Sequence, residues 1–313
     1  MSSTASKPLI AFAVAVVAIG SLSAMDAAMK GLVIALGTWP TMLWRSVLAI
    51  AVIAPIYLLL RARWPTRRAL RFHIIRGVLV VPMSVLFFWG LARVPMAQAI
   101  ALSFIAPLIA QWLAAVLLGE TMGPRTLAGS LLASAGVAVI FTGQAKADLG
   151  VDALKGSIAI IGSAFFYAYN IVLMRQQALA AKPLEIAFFQ FAVTGAAFWL
   201  LTPLIGLPPL PQGHWGALAI AALLSMSGML LLAWAYARAG AGYLSASEYS
   251  GFAWATLFGW LVFGERVSPF TLAGATLILA GCWIAARAHS ERPDAAPVAP
   301  DMIPPQAEAA HDA

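Results

Sequence analysis

Charged residues are scarce in this chain. Asp, Glu, Lys and Arg together make up 10 % of its 313 residues, against about a quarter in ordinary soluble domains. So few charges cannot cover the water-facing surface of a protein this long, which excludes a soluble globular fold. Cysteine is nearly missing as well. The one thiol, Cys282, excludes a disulfide framework and a cysteine-based metal cluster, and within its apolar run it reads as a small core residue. The four histidines, His73, His214, His289 and His311, fall at the ends of apolar runs, in connections or in the tail. The sequence holds no His-Glu-x-x-His, no Gly-x-Ser-x-Gly and no paired Asp motif, so a membrane enzyme would have neither a nucleophile with its base nor a set of metal ligands. It also lacks the Gly-x4-Gly-Lys-Ser/Thr phosphate cradle, so ATP drive would need a partner. No cofactor and no metal are expected.

What the chain has instead is hydrocarbon. It is 62 % hydrophobic with a mean hydropathy of +0.89, the composition of a polytopic membrane protein. A net charge of +7 might suggest nucleic acid. The arginines flank apolar runs, however, and form no aromatic-studded basic face, so the positive-inside rule accounts for them and no nucleic-acid partner is expected. A helix needs about 20 apolar residues to cross the hydrocarbon core. Runs of that kind lie at 9–30, 41–60, 74–92, 96–118, 125–143, 154–175, 184–204, 215–237, 242–264 and 269–287. The first, behind Lys7, resembles a signal peptide but reads as an uncleaved first helix.

Shifted by 145 residues, the chain aligns with itself. Gly119-Glu120, Pro124, Thr126-Leu127-Ala128-Gly129 and Gly136 fall on Gly264-Glu265, Pro269, Thr271-Leu272-Ala273-Gly274 and Gly281. The same shift pairs Trp89 with Trp234, Arg93 with Arg238, and Lys30 with Arg175. Five spans per copy turn the second copy upside down, a common architecture of alternating-access carriers. The fold class is therefore an all-α polytopic membrane protein of ten transmembrane helices in two inverted five-helix repeats. The expected divisions are a cytoplasmic segment 1–8, a first repeat 9–143, an external linker 144–153, a second repeat 154–287 and a tail 288–313. The tail, rich in Pro and Ala, reads as a disordered cytoplasmic extension. Arg61, Arg63, Arg67, Arg68, Arg71 and Arg76 form the densest basic cluster. Placing it and both termini in the cytoplasm puts thirteen of the 19 Lys and Arg inside. Anionic lipids are expected near residues 61–76. Pro208-Pro209-Leu210-Pro211 should then form a stiff external loop.

The Gly-Glu…Pro segments read as helix corners, with Glu120 and Glu265 facing the dipole of the next helix. Gly129 and Gly136, like Gly274 and Gly281, lie seven apart on roughly one face, which suits close helix packing or a homodimer. Intramembrane charge costs at least about 2.5–3.5 kcal/mol per group, so each such residue needs a reason. Glu248 stands amid Ser245, Tyr249 and Trp254 and is the leading substrate or proton group. Its repeat mate is Ser103, flanked by Gln98 and Gln111; Tyr167 and Asn170 share a face of the sixth span. Asp26 and Lys30, four apart, can pair, and with Arg45 they are candidate gating or ion-pair residues. Trp89, Trp234 and Trp44 suit interface anchors.

Two five-span halves, each with Gly-Glu, a following Pro and a closing Gly-rich helix, together with Lys30, Arg45 and Pro107, resemble the EamA family of the drug/metabolite transporter superfamily. The resemblance covers about residues 9–287 and implies a secondary transporter of a small organic metabolite in a bacterial-type inner membrane. The stretch 91–107 is similar to S-adenosylmethionine-type uptake carriers, which points to an amino acid or a related compound as substrate. Aromatic amino-acid or drug/metabolite exporters of the same fold are the alternative.

Overall fold

A computed structural model describes residues 6–60, 64–118, 124–146, 150–236, 238–239, 244 and 247–290. Among these the chain is helical without strands: α1 Ser6–Leu36, α2 Thr38–Leu59, α3 Arg67–Leu91, α4 Met96–Ser103, α5 Ala106–Leu118, α6 Pro124–Lys146, α7 Gly150–Ala180, α8 Pro183–Ile205, α9 Trp215–Tyr236, α10 Ser250–Phe263 and α11 Pro269–Ser290. Eight segments are long and apolar enough to cross a membrane, one of them Met96–Leu113, which joins α4 to α5. Two further apolar helices, Ser250–Phe263 and Pro269–Ile284, are shorter. The residues expected to open the ninth span lie partly outside the described set, as do Glu120, Arg61, Arg63, Ser245 and the tail beyond Ser290.

The expected fourth span, 96–118, is two helices. Pro107 has no N–H for the carbonyl four residues back, and its ring crowds that carbonyl, so the helix breaks at Phe104 and Ile105 and restarts at Ala106. The freed Phe104 carbonyl accepts a bond from the Cys282 thiol at 3.3 Å. Cys282 is buried, as expected, but tied to the break.

The repeat is legible in the packing. The most extensive helix contacts are α6 with α11, α1 with α9, and α3 with α7. A shift by 145 residues carries α1 onto α7 and α3 onto α9, so the last two contacts exchange while the α6–α11 contact maps onto itself. Glycine makes that self-paired contact close. A Cβ on Gly136 would stand 2.6 Å from the Gly274 carbonyl oxygen, a Cβ on Gly274 2.5 Å from that of Gly136, and one on Gly281 would collide with the Gly129 carbonyl. The glycine faces are thus used against each other within one chain. Trp89 and Trp234 also behave as repeat mates: Arg93 stacks on the first at 3.6 Å and Arg238 on the second at 3.9 Å. Trp44 binds the Pro209 carbonyl at 3.0 Å and packs edge-on against Trp199 and Trp215, which anchors the Pro-rich loop.

One corner departs from expectation. Lys30 does not pair with Asp26. Its ammonium, on a residue only 4 % exposed, reaches Glu265 Oε1 at 2.5 Å and the Val94 carbonyl at 2.6 Å. The other carboxylate oxygen of Glu265 accepts from the Met96 amide at 2.7 Å and so caps α4. Glu265 therefore serves the start of α4 and not the next helix, α11, whose first turn is capped by Ser268 Oγ at 3.1 Å from the Thr271 amide. Gly259 leaves the room: a Cβ there would stand 2.6 Å from Glu265 Oε2. The left-handed turn at Gly264, φ 65°, swings the carboxylate into place. A capping box is read from neighbours in sequence, whereas this cap comes from 169 residues away.

Two outcomes follow from these contacts. Gly136→Leu or Gly274→Leu should lower the melting temperature of the purified protein sharply, by the about 1–3 kcal/mol or more of an overpacked contact. Gly216→Ala, where nothing lies within 4 Å, should leave it unchanged; equal losses in all three variants would contradict the packing account. Lys30→Met should cost about 3–5 kcal/mol by stranding a buried carboxylate. Adding Glu265→Gln should recover part of that, measurable as a coupling energy in a double-mutant cycle.

Candidate functional site

Two helices and the segment just before α10 carry charge into the apolar bundle without neutralising it at once. On α1 and α2, Asp26 and Arg45 lie in the protein interior and interact electrostatically, yet fall short of direct ion-pair contact. The Arg45 guanidinium rests 5.8 Å from the Phe88 ring and 3.8 Å from the Met25 sulfur, so its strongest donors are unspent on carboxylates. Both residues are half-buried despite their depth. Glu248 accepts from the Tyr236 hydroxyl at 2.9 Å and has no cation against it among the described residues. Tyr167 lies within electrostatic reach of Glu248 and of Arg76.

Tyr167 sits deep in the protein yet is 40 % exposed, and Glu248, also deep, is exposed. Glu248, Tyr167 and Tyr236 thus form one neighbouring group of polar residues, and Asp26 and Arg45 form another. Phe88, beside Arg45, stands twelve residues from Arg76 on α3, about 18 Å by helical rise.

The remaining expected site residues divide differently. Tyr249 meets Phe104 edge-on at 6.1 Å, beside the helix break. Trp254 is a docking residue: its indole N–H binds the Val16 carbonyl at 3.1 Å, and a Cβ on Gly20 would touch its ring at 2.9 Å. It holds α10 against α1. Gln98 is buried and donates to Ser157 Oγ at 3.1 Å, which donates to Gln144 Oε1 at 3.1 Å, so it joins helices and does not face a solute. Ser103 turns back on its own helix to the Ala99 carbonyl at 2.9 Å. Gln111 is half-buried on α5, past the break. Asn170 does not share an open face with Tyr167; it is buried, its Oδ1 accepting from Arg76 Nε at 2.9 Å.

Arg76 and Tyr236 are the residues that sequence reading missed. Counting positive charges placed Arg76 among loop arginines. The helix begins ten residues earlier, with Thr66 Oγ1 accepting from the Ala69 amide at 3.2 Å as its N-cap. Arg67, Arg68 and Arg71 are exposed at that end, but Arg76 is only 6 % exposed, inside the bundle. The Thr66-Arg67 start was the available signal.

Known proteins are similar along the whole architecture. The model of the EamA-like transporter family matches residues 9–142 and again 154–287. The pseudopaline exporter CntI of Pseudomonas aeruginosa is 28 % identical over 274 residues, 86 % of this chain and 93 % of that one. A probable terminal-alkyne amino-acid exporter of Streptantibioticus cattleyicolor is 32 % identical over 63 % of this chain and 66 % of its own. A riboflavin transporter of Rhizobium johnstonii is 29 % identical over 70 % of each. A crystal structure with 22 % identity superposes with a TM-score of 0.57 over 93 % of this chain and 100 % of that one, a likeness of fold. With both halves matched separately and apolar helices throughout, the chain is a multi-pass membrane protein that belongs to the EamA-like transporter family.

Proposed function

We propose that this protein is a secondary transporter that exports a small amino-acid-like solute by alternating access between its two repeats. The observation that carries the reading is the set of incompletely partnered charges, Arg45 with Asp26 and Glu248 with Tyr236, which we read as lining an internal vestibule. A membrane protein keeps such charges only where they meet one another, water or a ligand. A solute bearing both a carboxylate and an ammonium answers both signs at once, which covers amino acids and S-adenosylmethionine-like compounds. Glu248 is the group assigned to the solute's ammonium, or to a proton when the vestibule is empty. Two similar proteins are named exporters, one of them of an amino acid, and this favours the outward direction.

The Lys30–Glu265 contact ties α1, the start of α4 and the end of α10 at the external side. Such a tie suits a state closed to the outside, with Glu248 and Tyr167 reachable from the cytoplasm. In the same reading the protein sits in a bacterial-type inner membrane with both termini cytoplasmic, because the exposed Arg67, Arg68 and Arg71 gather at one end.

In proteoliposomes, counterflow of labelled L-amino acids should be saturable and trans-stimulated. Glu248→Gln should reduce it about tenfold or more, the scale of a buried charge-assisted contact, with the melting temperature little changed. Lys155→Gln, at an exposed site, should transport normally. Wild-type counterflow in Glu248→Gln would remove that residue from the mechanism, and non-saturable leak would point to a channel. For orientation, a cysteine at Gln212 should react with a membrane-impermeant maleimide in intact cells, and one at Arg68 only after lysis.

A further inference from the structure

We infer that Arg76 is an anion-binding group that takes the carboxylate of a solute in the inner vestibule. A guanidinium this far inside an apolar bundle needs a counter-charge or full hydrogen bonding. Among the described residues no carboxylate contacts it. Two amide oxygens hold it instead: Asn170 Oδ1 accepts from Nε at 2.9 Å, and Gln177 Oε1 accepts from Nη1 at 2.5 Å. Among the described residues its Nη2 amino group has no acceptor.

The support behind the guanidinium has a direction. Gln177 Nε2 carries only donors, so His73 Nδ1, 2.7 Å away, accepts from it. The His73 proton then sits on Nε2 and is donated to Glu185 Oε1 at 3.0 Å. The ring is clamped by stacking on Phe189, with centroids 4.8 Å apart. Every bond in the Glu185–His73–Gln177 chain orients the Gln177 oxygen toward Arg76. Three helices, α3, α7 and α8, thus build a rigid cradle for one cation, and the carboxylate that balances it stands at the far end of the chain. Tethers of this kind cost stability unless they fix a geometry. The geometry fixed here is that of a guanidinium held near Tyr167, with Glu248 also in reach of Tyr167. Planar, doubly donating guanidinium matches a carboxylate with two parallel bonds. Arg76 and Glu248 then grip the two charged ends of one zwitterion, while Arg45 forms a separate, more external station.

The assignment rests on the proposed transport of an amino-acid-like solute for its meaning, but its test is a binding measurement that needs no flux. The full chain in lipid nanodiscs is titrated, by thermal shift, with L-phenylalanine, 3-phenylpropionate and 2-phenylethylamine, which share one apolar body and differ in charge. Wild type should be stabilised by the two carboxylates. Arg76→Gln should weaken both by about tenfold or more and leave the amine unaffected; Lys155→Gln, at an exposed site, should keep 3-phenylpropionate binding. Arg76→Lys retains the charge without the fork and should bind the carboxylates with intermediate affinity, which keeps the test decisive if Arg76→Gln fails to fold. Wild type indifferent to both carboxylates, or an Arg76 variant that binds them as wild type does, overturns the assignment. Carboxylate binding through Arg76 without counterflow removes the transport reading and leaves this site standing. Undiminished counterflow in Arg76→Gln does the reverse.

Discussion

Hydrocarbon offers a charged side chain no partner, and the placement of nearly every polar group in this bundle answers to that constraint. The responses fall into three kinds. Lys30 is met completely, by a carboxylate and a carbonyl from two other helices. Arg76 is met by neutral amides whose orientation is set through His73 by the carboxylate of Glu185. Asp26, Arg45 and Glu248 are met only in part. Completeness of partnering therefore separates the residues that hold the molecule together from those left free to meet a solute.

The same constraint explains the symmetry and where it fails. Backbone groups are satisfied within helices, so the two halves can pack as near-equivalent bodies, and the helix contacts exchange under the repeat. Glycine at the self-paired α6–α11 contact lets the two backbones touch without a polar group between them. The charges do not follow the repeat: Glu248 has Ser103 as its mate and Arg76 has Ala221. A solute with unlike ends needs an asymmetric site, and the symmetric frame supplies two helix layers on which unlike residues can be placed.

The features readable from the chain were those governed by neighbours in sequence. Apolar run length revealed the spans, seven-residue spacing the glycine faces, and the 145-residue shift the Trp89/Trp234 and Arg93/Arg238 mates, whose stacking on each other only the structure shows. Pro107 was visible as a landmark, but it divides its span in two because the lost N–H falls mid-helix. Lys30 was matched to Asp26 because residues four apart share a helix face. The partner it takes, Glu265, lies 235 positions away. Gln98, Trp254 and Asn170 have the chemistry of ligand groups, yet each spends it on a helix–helix bond.

By itself, then, the sequence determined the membrane-spanning helical class, the duplication and the identity of the charges inside it, because composition and periodicity are local properties that hydrocarbon reads directly. Only the tertiary structure decided which of those charges are neutralised. Partnering in a low-dielectric interior depends on contacts of a few ångströms between helices far apart in the chain, and no spacing along one helix records them. That is how Lys30 became an architectural tie, and how Arg76, counted at first among the surface arginines, became a cradled cation inside the bundle.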